Sequence, residues 1–357
     1  VIIYLLVSIS IGLYAATKVK STQDYAVAGR SLPIYIVTAT VFATWFGSET
    51  VLGIPAKFAE KGLGGVVEDP FGASLCLVFV GMFFAAKLYR MNLLTIGDYY
   101  KQRYGRTVEL VTSVCIIISY LGWVAAQITA LGLVFNVLSG GEVSRETGML
   151  IGTAIVLLYT VFGGMWSVAL TDFFQMIIIV VGMLGIAVII AAKAGGVGVV
   201  VAHAAEAGKL KFLPEANLRD ILAFIGAAVT LMLGSIPQQD VFQRVMSAKD
   251  EKTAVRGSIF GGVLYFFFAF IPMFLAYSAF VMMPDIAKGW AEADTQMILP
   301  NLVLSEGIPL IAQVMFFGAL LSAIMSTASG TLLAPSVTFT ENILKGFMPH
   351  MSDKRFL

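Results

Sequence analysis

Apolar residues fall into nine long runs along the chain, separated by shorter polar connections. Most of these runs approach the roughly 20 residues that a helix needs to cross a bilayer. The pattern predicts helices at about 1–16, 33–56, 67–90, 109–138, 147–168, 173–195, 220–236, 257–283 and 309–345. The last run is too long for one perpendicular span, which predicts a tilt or an extension beyond the bilayer.

Composition supports a membrane protein, because 58% of the residues are hydrophobic and only 13% are charged. A soluble domain carries about 25% charged residues. We therefore predict an all-α protein that crosses the plasma (cytoplasmic) membrane several times, with the lipid bilayer as its surroundings. A net charge of +1 argues against nucleic acid as a partner, and no obligate protein partner is evident. His203 and His350 lie too far apart to form a catalytic pair, so the chain is not predicted to be an enzyme.

Basic residues are concentrated on one set of alternate connections, which hold 15 of the 23 Lys and Arg residues. These connections are 17–32, 91–108 with its preceding flank, 169–172, 243–256 and the tail after 344. Since cytoplasmic loops are enriched in Lys and Arg, the N-terminus is predicted to be external and the C-terminal tail cytoplasmic. The basic stretch 244–256 is interpreted as a solvated cytoplasmic loop.

Two of the predicted helices are interrupted by unfavourable residues. Gly47 and Glu49 interrupt the second run, and Gly234, Ser235 and Pro237 interrupt the seventh. Paired broken helices in corresponding positions are typical of an inverted-repeat transporter with a binding site at mid-membrane. The alternative is that these are ordinary glycine and proline kinks, which are common in membrane helices.

The last apolar run carries a dense set of hydroxyl groups. Ala323, Ser326 and Thr327 are spaced so that they share one helix face. Two hydroxyl oxygens and a carbonyl form a partial oxygen cage that suits Na⁺, and carbonyls freed near Ala43 and Phe46 in the broken helix could complete it. Alternatively, each hydroxyl binds a carbonyl one turn back in its own helix.

Polar side chains also occur within the two broken helices: Glu49 in the first, and Gln238, Gln239 and Asp240 in the second. Carboxylates inside a membrane are costly and are usually functional. Glu49 and Asp240 are therefore candidates for pairing with an amine or for acting as the counterion of a second cation. The alternative is that both lie in water at helix ends.

Four segments give the chain a close resemblance to a known family. They are AGRSLPIYIVTATVFATWFG (28–47), YTVFGGMWSVALTDFFQ (159–175), GSIPQQDVFQRVMSAKD (234–250) and GALLSAIMSTASGTLLA (318–334). In this order they resemble the sodium/solute symporter family over essentially the whole chain. Within that family the chain is most similar to the high-affinity choline transporter branch.

The resemblance implies a ten-helix core of two inverted five-helix repeats, preceded by one extra N-terminal helix. Residues 1–16 would form the extra helix, 33–195 the first repeat and 220–345 a partial second repeat, truncated after its third helix. The chain 1–357 is accordingly expected to be a fragment of a longer transporter domain, and not to form a competent transporter by itself.

The resemblance also implies a sodium site. Its ligands would be the carbonyls of Ala43, Phe46 and Ala323 and the hydroxyls of Ser326 and Thr327. Asp172 corresponds to an aspartate on the family's cytoplasmic sodium exit. The alternative for Asp172 is a carboxylate at a helix N-terminus, stabilised by the helix dipole.

Substrate recognition is less completely implied. Trp45 and Trp123 correspond to tryptophans of the choline transporters, whose aromatic rings bind a quaternary ammonium by cation–π attraction. Two further aromatic positions of that pattern are occupied here by Ala73 and Gln238, so the aromatic box is incomplete. Gln127, one turn beyond Trp123, is a candidate hydrogen-bonding neighbour.

The sequence therefore predicts a secondary symporter that couples inward Na⁺ movement to import of a small organic solute by alternating access. The solute would be a choline-like amine, an amino acid or a similar compound. The alternative function is a symporter-like sensory module of a signalling protein.

Overall fold

The computed structural model describes residues 2–348, and 85% of its residues are helical. Within this part of the chain the only extended pairing is an isolated bridge between Leu32 and Ala248. His350, Lys354 and Arg355, which entered the sequence-based predictions, lie outside the described residues. The helices are α1 Ile2–Ala16, α2 Thr22–Val27, α3 Ile34–Trp45, α4 Ile54–Lys61, α5 Val67–Met91, α6 Ile96–Tyr104, α7 Arg106–Leu138, α8 Arg145–Lys193, α9 Val197–Glu206, α10 Leu218–Gly234, α11 Gln239–Ser247, α12 Glu251–Met282, α13 Pro284–Ala293, α14 Ile298–Leu304 and α15 Leu310–Phe347.

Within residues 2–348, five helices are long and apolar enough to cross a membrane: α5, α7, α8, α12 and α15. A sixth span results if α10 and α11 count as one helix, bent by 44° at the short break between them. The prediction of a multi-pass, all-α membrane protein is confirmed. The short helices α2, α6, α9, α13 and α14 were not predicted, because they lie in the connections between the apolar runs.

Helix α8 has 49 residues, which is about twice the length that a bilayer accommodates. It is broken at Gly164, whose backbone has φ 50° and ψ −138°. A Cβ atom there would also lie 2.5 Å from the Tyr25 carbonyl oxygen, so only glycine fits. The predicted break at 169–172 is therefore wrong by several residues. Asp172 lies inside the helix, and its interpretation as a helix N-terminal carboxylate is wrong as well.

Both predicted helix interruptions are present. Helix α3 ends at Trp45, Phe46 is non-helical with φ −85° and ψ 69°, and a π-helical turn at Glu49–Gly53 leads into α4. The second interruption separates α10 from α11. Each break interrupts the regular pattern of helical backbone hydrogen bonds within an apolar run.

The basic stretch 244–256 is not a solvated loop. Its first residues belong to α11, in which every residue is buried, including Arg244. Helix α12 then begins at Glu251, where the Asp250 carboxylate accepts a hydrogen bond from the Thr253 N–H at 2.7 Å. Within 244–256, the accessible basic residues are Lys249, beside this cap, and Lys252 and Arg256 on the exposed face of α12.

Helix α15 lies at the centre of the bundle. Its most apolar stretch is 67% buried inside the protein, whereas that of α7 is 22% buried. It packs against α8, α7 and α3, while α1 packs on α8 and α12 packs on α3. The hydroxyl-rich part of α15 therefore faces protein and not lipid.

Candidate functional site

The hydroxyl groups of α15 divide into two kinds. Thr331 Oγ1 donates to the Thr327 carbonyl one turn back, at 2.8 Å. By contrast, Ser326 Oγ donates to Asp172 Oδ1 on α8 at 2.6 Å, and Thr327 Oγ1 donates to the Ala43 carbonyl on α3 at 3.5 Å. For Ser326 and Thr327 the back-bonding interpretation is thus wrong, because both hydroxyls reach other helices.

The broken end of α3 lies beside these hydroxyls. Phe46 N–H still donates to the Phe42 carbonyl at 3.0 Å, but two residues later the Ser48 N–H turns to Gln127 Oε1 at 3.2 Å. The regular backbone hydrogen bonds of α3 therefore end at Phe46, one turn after Ala43. The five residues that the family resemblance selected are fully buried: Ala43, Phe46, Ala323, Ser326 and Thr327.

Asp172 joins α8 to both neighbouring helices. Its carboxylate is completely buried and accepts hydrogen bonds from Ser326 Oγ on α15 and from Thr40 Oγ1 on α3. A third hydroxyl, Thr44 Oγ1, lies 3.5 Å from Asp172 Oδ2. Asp172 therefore contacts Ser326, the residue directly before Thr327 of the Ala43–Thr327 contact.

Arg244 is a buried cation that sequence analysis placed in a loop. Its Nη2 and Nε atoms donate to Thr44 Oγ1 at 2.5 and 3.1 Å, and its Nη1 donates to the Asp240 carbonyl oxygen at 2.8 Å. Thr44 thus lies between the guanidinium and the Asp172 carboxylate. Opposite charges bridged by one hydroxyl balance each other in the interior, where an isolated charge is costly.

A cavity of about 270 Å³ lies between the break in α3, the middle of α7 and the break between α10 and α11. The Trp45 and Trp123 rings meet edge to face with centroids 6.3 Å apart. The residues lining the cavity are Trp45, Glu49, Asp69, Ser119, Trp123, Leu231, Ser235 and Gln238. Four of the predicted substrate-binding residues are therefore gathered at one cavity.

A second cavity of about 470 Å³ adjoins the first, because Glu49, Asp69 and Leu231 line both. Its wall also carries charges of both signs, from Lys57, Glu68, Arg145 and Asp294. The smaller cavity is thus the more aromatic one, and the larger cavity is the more polar.

The other two predicted substrate-binding residues, Gln127 and Asp240, lie behind the smaller cavity. Gln127 Nε2 donates to Glu49 Oε1 and Oε2 at 2.7 and 2.8 Å. The buried Asp240 carboxylate accepts hydrogen bonds from Trp45 Nε1, at 3.1 Å, and from Tyr120 OH. In this arrangement Gln127 and Asp240 orient the side chains that line the cavity.

Asp69 was missed by sequence analysis. It begins the third apolar run, so the cost of an intramembrane carboxylate that selected Glu49 could have selected it too. It accepts a hydrogen bond from Tyr265 OH, which in turn lies 3.0 Å from Thr50 Oγ1. Asp69 is therefore linked through Tyr265 to the broken region of α3.

Comparison with known proteins gives consistent matches. The sequence profile described as the sodium:solute symporter family matches residues 25–356. The high affinity choline transporter 1 of Homo sapiens is 29% identical over 382 residues, which cover 100% of this chain and 63% of that protein. The sodium/proline symporter of Escherichia coli (strain K12) is 27% identical over 372 residues, covering 99% of this chain and 72% of that protein.

Among solved structures, a Na⁺-coupled sialic acid symporter in a substrate-bound outward-open state superimposes with a TM-score of 0.86 at 22% identity. The superposition covers 99% of this chain and 74% of that one, and at this identity it establishes the fold. The chain spans about 63% of the length of the choline transporters that it matches. These relatives are transporters and not enzymes, as the sequence predicted. The chain belongs to the sodium:solute symporter family.

Proposed function

We propose that this chain forms a large part of a symporter that uses the Na⁺ gradient to import a small organic solute. The observation that carries the proposal is the contact between the Thr327 hydroxyl and the Ala43 carbonyl. It joins the hydroxyl face of α15 to the uncoiled end of α3, next to a cavity lined by two tryptophans and two carboxylates.

In this proposal Na⁺ is cargo and binds among oxygens of both helices. The hydroxyls of Ser326 and Thr327 would supply two ligands, and the carbonyls of Ala43, Phe46 and Ala323 would supply the remainder. Neutral oxygen ligands suit a small, hard monovalent cation. An ion bound between α3 and α15 would hold the two helices together and favour one state of the transporter over the other.

Asp172 is proposed as the first residue on the route by which Na⁺ leaves toward the cytoplasm. It already accepts a hydrogen bond from Ser326, a proposed ligand. When the ion moves, the carboxylate would exchange that hydroxyl for the ion. Arg244, on the other side of Thr44, would prevent the carboxylate from holding the ion too tightly.

The solute is proposed to bind in the 270 Å³ cavity, in contact with Trp45, Glu49, Trp123 and Gln238. Two tryptophan faces and a carboxylate favour a small organic cation or a zwitterion. That choline and proline transporters are among the relatives agrees with a solute of this class. Gln127 and Asp240 are proposed to act indirectly, by orienting Glu49 and Trp45.

The driving force is sufficient for accumulation. Moving one charge across 100 mV supplies about 2.3 kcal/mol, and a tenfold gradient supplies about 1.4 kcal/mol. One Na⁺ therefore provides roughly 3.7 kcal/mol, enough for several-hundredfold accumulation of a neutral solute.

We further propose that the helices form two inverted repeats, over residues 33–195 and 220–345, with α1 as an additional helix. The breaks after α3 and after α10 would be equivalent positions in the two repeats. Inverted repeats place such breaks at mid-membrane and build the binding site from them. The plasma membrane is the proposed location.

The proposal is tested by solute binding and uptake, with the full-length transporter that contains this chain reconstituted in liposomes. Uptake of labelled choline, ethanolamine or proline is expected in an inward Na⁺ gradient and not in an equal K⁺ gradient. Equal uptake in both gradients, for every solute that binds, would contradict Na⁺ coupling and leave a sensory module as the better explanation.

Gly47→Ala is expected to weaken Na⁺ binding. A Cβ atom at Gly47 would lie 2.6 Å from Thr327 Oγ1 and 2.9 Å from Glu49 Oε2, so it would displace a proposed ligand. Gly53 is the matched control, since no described atom lies within 4 Å of the corresponding position. The Na⁺ concentration for half-maximal binding should rise about tenfold in Gly47→Ala and stay constant in Gly53→Ala, apart from a small propensity effect. Equal responses would argue against the site.

A further inference from the structure

The smaller cavity is lined by acidic side chains. Glu49 and Asp69 both line it, and none of its lining residues in the described part of the chain is basic. The bases Lys57 and Arg145 line only the larger cavity. Because carboxylates inside a membrane protein need a counter-charge, the cavity favours an occupant with a positive charge.

The same wall also carries unused hydrogen-bond acceptors. Glu49 accepts hydrogen bonds from Gln127 Nε2, with the side chains of Ser48 and Trp123 as further donors, whereas Asp69 accepts one from Tyr265 OH. Two ionised oxygens can accept about four hydrogen bonds. Gln238 Oε1 is buried and has no donor among the described residues. The occupant must therefore bring hydrogen-bond donors as well as charge.

We propose that the cavity binds a protonated primary or secondary amine, with its N–H groups shared between Glu49 and Asp69. The rings of Trp45 and Trp123 contact the carbon atoms next to the nitrogen. A quaternary ammonium has the charge but no N–H donor, so it would leave Asp69 with the Tyr265 hydroxyl as its donor and Gln238 Oε1 without one among the described residues. This inference rests on the proposed function, since it identifies the solute of that same cavity.

Glu49 also links the amine to the Na⁺ position. Its Oε2 atom and Thr327 Oγ1 both lie within 3 Å of the point that a Cβ on Gly47 would occupy, at 2.9 and 2.6 Å. One carboxylate is thus close to both cations. It offsets the repulsion between them, so a cationic solute and Na⁺ can bind together.

The test is a series of amines that differ only in N-methylation: ethanolamine, N-methylethanolamine, N,N-dimethylethanolamine and choline. All carry one positive charge at pH 7, while the number of N–H donors falls from three to zero. Binding to the purified full-length protein in detergent is measured by isothermal titration calorimetry, in Na⁺ and again in K⁺. Affinity is expected to fall along the series, with choline at least about tenfold weaker than ethanolamine. Choline binding as tightly as ethanolamine, or more tightly, would overturn the inference.

Variants of the two cavity carboxylates test whether these groups cause the preference for N–H donors. Glu49→Gln and Asp69→Asn should each reduce the preference for ethanolamine over choline by about threefold or more, because each removes a charged acceptor. Glu68→Gln is the matched control, since Glu68 adjoins Asp69 in sequence but lines only the larger cavity. An undiminished preference in both test variants would contradict the assignment. If either variant fails to fold, the amine series on the unmodified protein decides the question.

The two proposals can fail separately. Loss of Na⁺ dependence with a retained preference for N–H donors would contradict symport but support the amine site. Retained Na⁺ dependence with a preference for choline would support symport but contradict the amine site.

Discussion

Replacing Ser326 and Thr327 together by alanine is expected to raise the Na⁺ concentration for half-maximal solute uptake by roughly 30-fold. Each substitution removes a hydroxyl oxygen that now reaches another helix, to Asp172 and to the Ala43 carbonyl. Two lost oxygen ligands at about 1 kcal/mol each amount to about 2 kcal/mol, which gives the stated change. Uptake as a function of Na⁺ concentration in liposomes measures it.

The control for this experiment is Thr331→Ala. Thr331 lies one turn further along α15 and is equally buried. Its hydroxyl donates a hydrogen bond to a carbonyl of its own helix at 2.8 Å. It should leave the Na⁺ dependence unchanged while imposing a similar packing change. If the double variant keeps the Na⁺ dependence of the unmodified protein, the site between α3 and α15 is refuted.

Arg244→Met is expected to cost the fold about 3 kcal/mol or more, because it leaves the buried Asp172 carboxylate without its nearby positive charge. It also removes the three donors that now go to Thr44 Oγ1 and the Asp240 carbonyl. Arg244→Lys keeps the charge but cannot reproduce the planar fork, so its effect should be intermediate. Apparent melting temperature in detergent is the measurement.

Two further variants make this prediction specific. Arg256→Met removes an exposed arginine of the neighbouring helix and should have little effect on melting temperature. Asp172→Asn in the Arg244→Met background should recover part of the lost stability, since the unpaired carboxylate is then gone. Additive losses from the two substitutions would show that Arg244 and Asp172 are not coupled, and would refute the charge balance proposed around Thr44.

The residues of the proposed Na⁺ site are connected to one another by hydrogen bonds. Thr44 touches both Arg244 and Asp172, Asp172 touches Ser326, and the next residue, Thr327, touches Ala43. On the solute side, Trp45 is held by Asp240, whose own carbonyl accepts from Arg244. The proposed Na⁺ site and the solute cavity therefore share supporting residues, so that a change at one can be transmitted to the other.

Much of this arrangement could be predicted from the chain alone. Gly47 and Glu49 inside an apolar run indicated the broken helix, because such residues disrupt a membrane helix whatever surrounds them. The spacing of Ser326 and Thr327 placed both hydroxyls on one face, since helical periodicity is a local property. The family resemblance then selected Ala43, which the structure places against Thr327.

Other features could not be predicted in this way. Arg244 follows an interrupted helix and opens a basic stretch, which is the pattern of a cytoplasmic loop. Its burial results from the packing of α11 against α3 and α15. The break in α8 occurs at Gly164 and not beside Asp172, because Tyr25 from a distant segment packs against that glycine. Neither the contacts that bury Arg244 nor the contact of Tyr25 with Gly164 can be predicted from the local periodicity of the sequence.

The linear order of residues by itself determined that this is an apolar, multi-helical protein of the symporter family, with two broken helices and a hydroxyl-bearing face. These properties depend on hydropathy, helical period and residues that interrupt helices, all of which act over one or two turns. The tertiary structure alone decided which charges are buried and which of them balance one another. It brought Asp69 to the cavity beside Glu49, and it placed Arg244 beside Asp172, because the free energy of a buried charge depends on partners that lie far away in the chain.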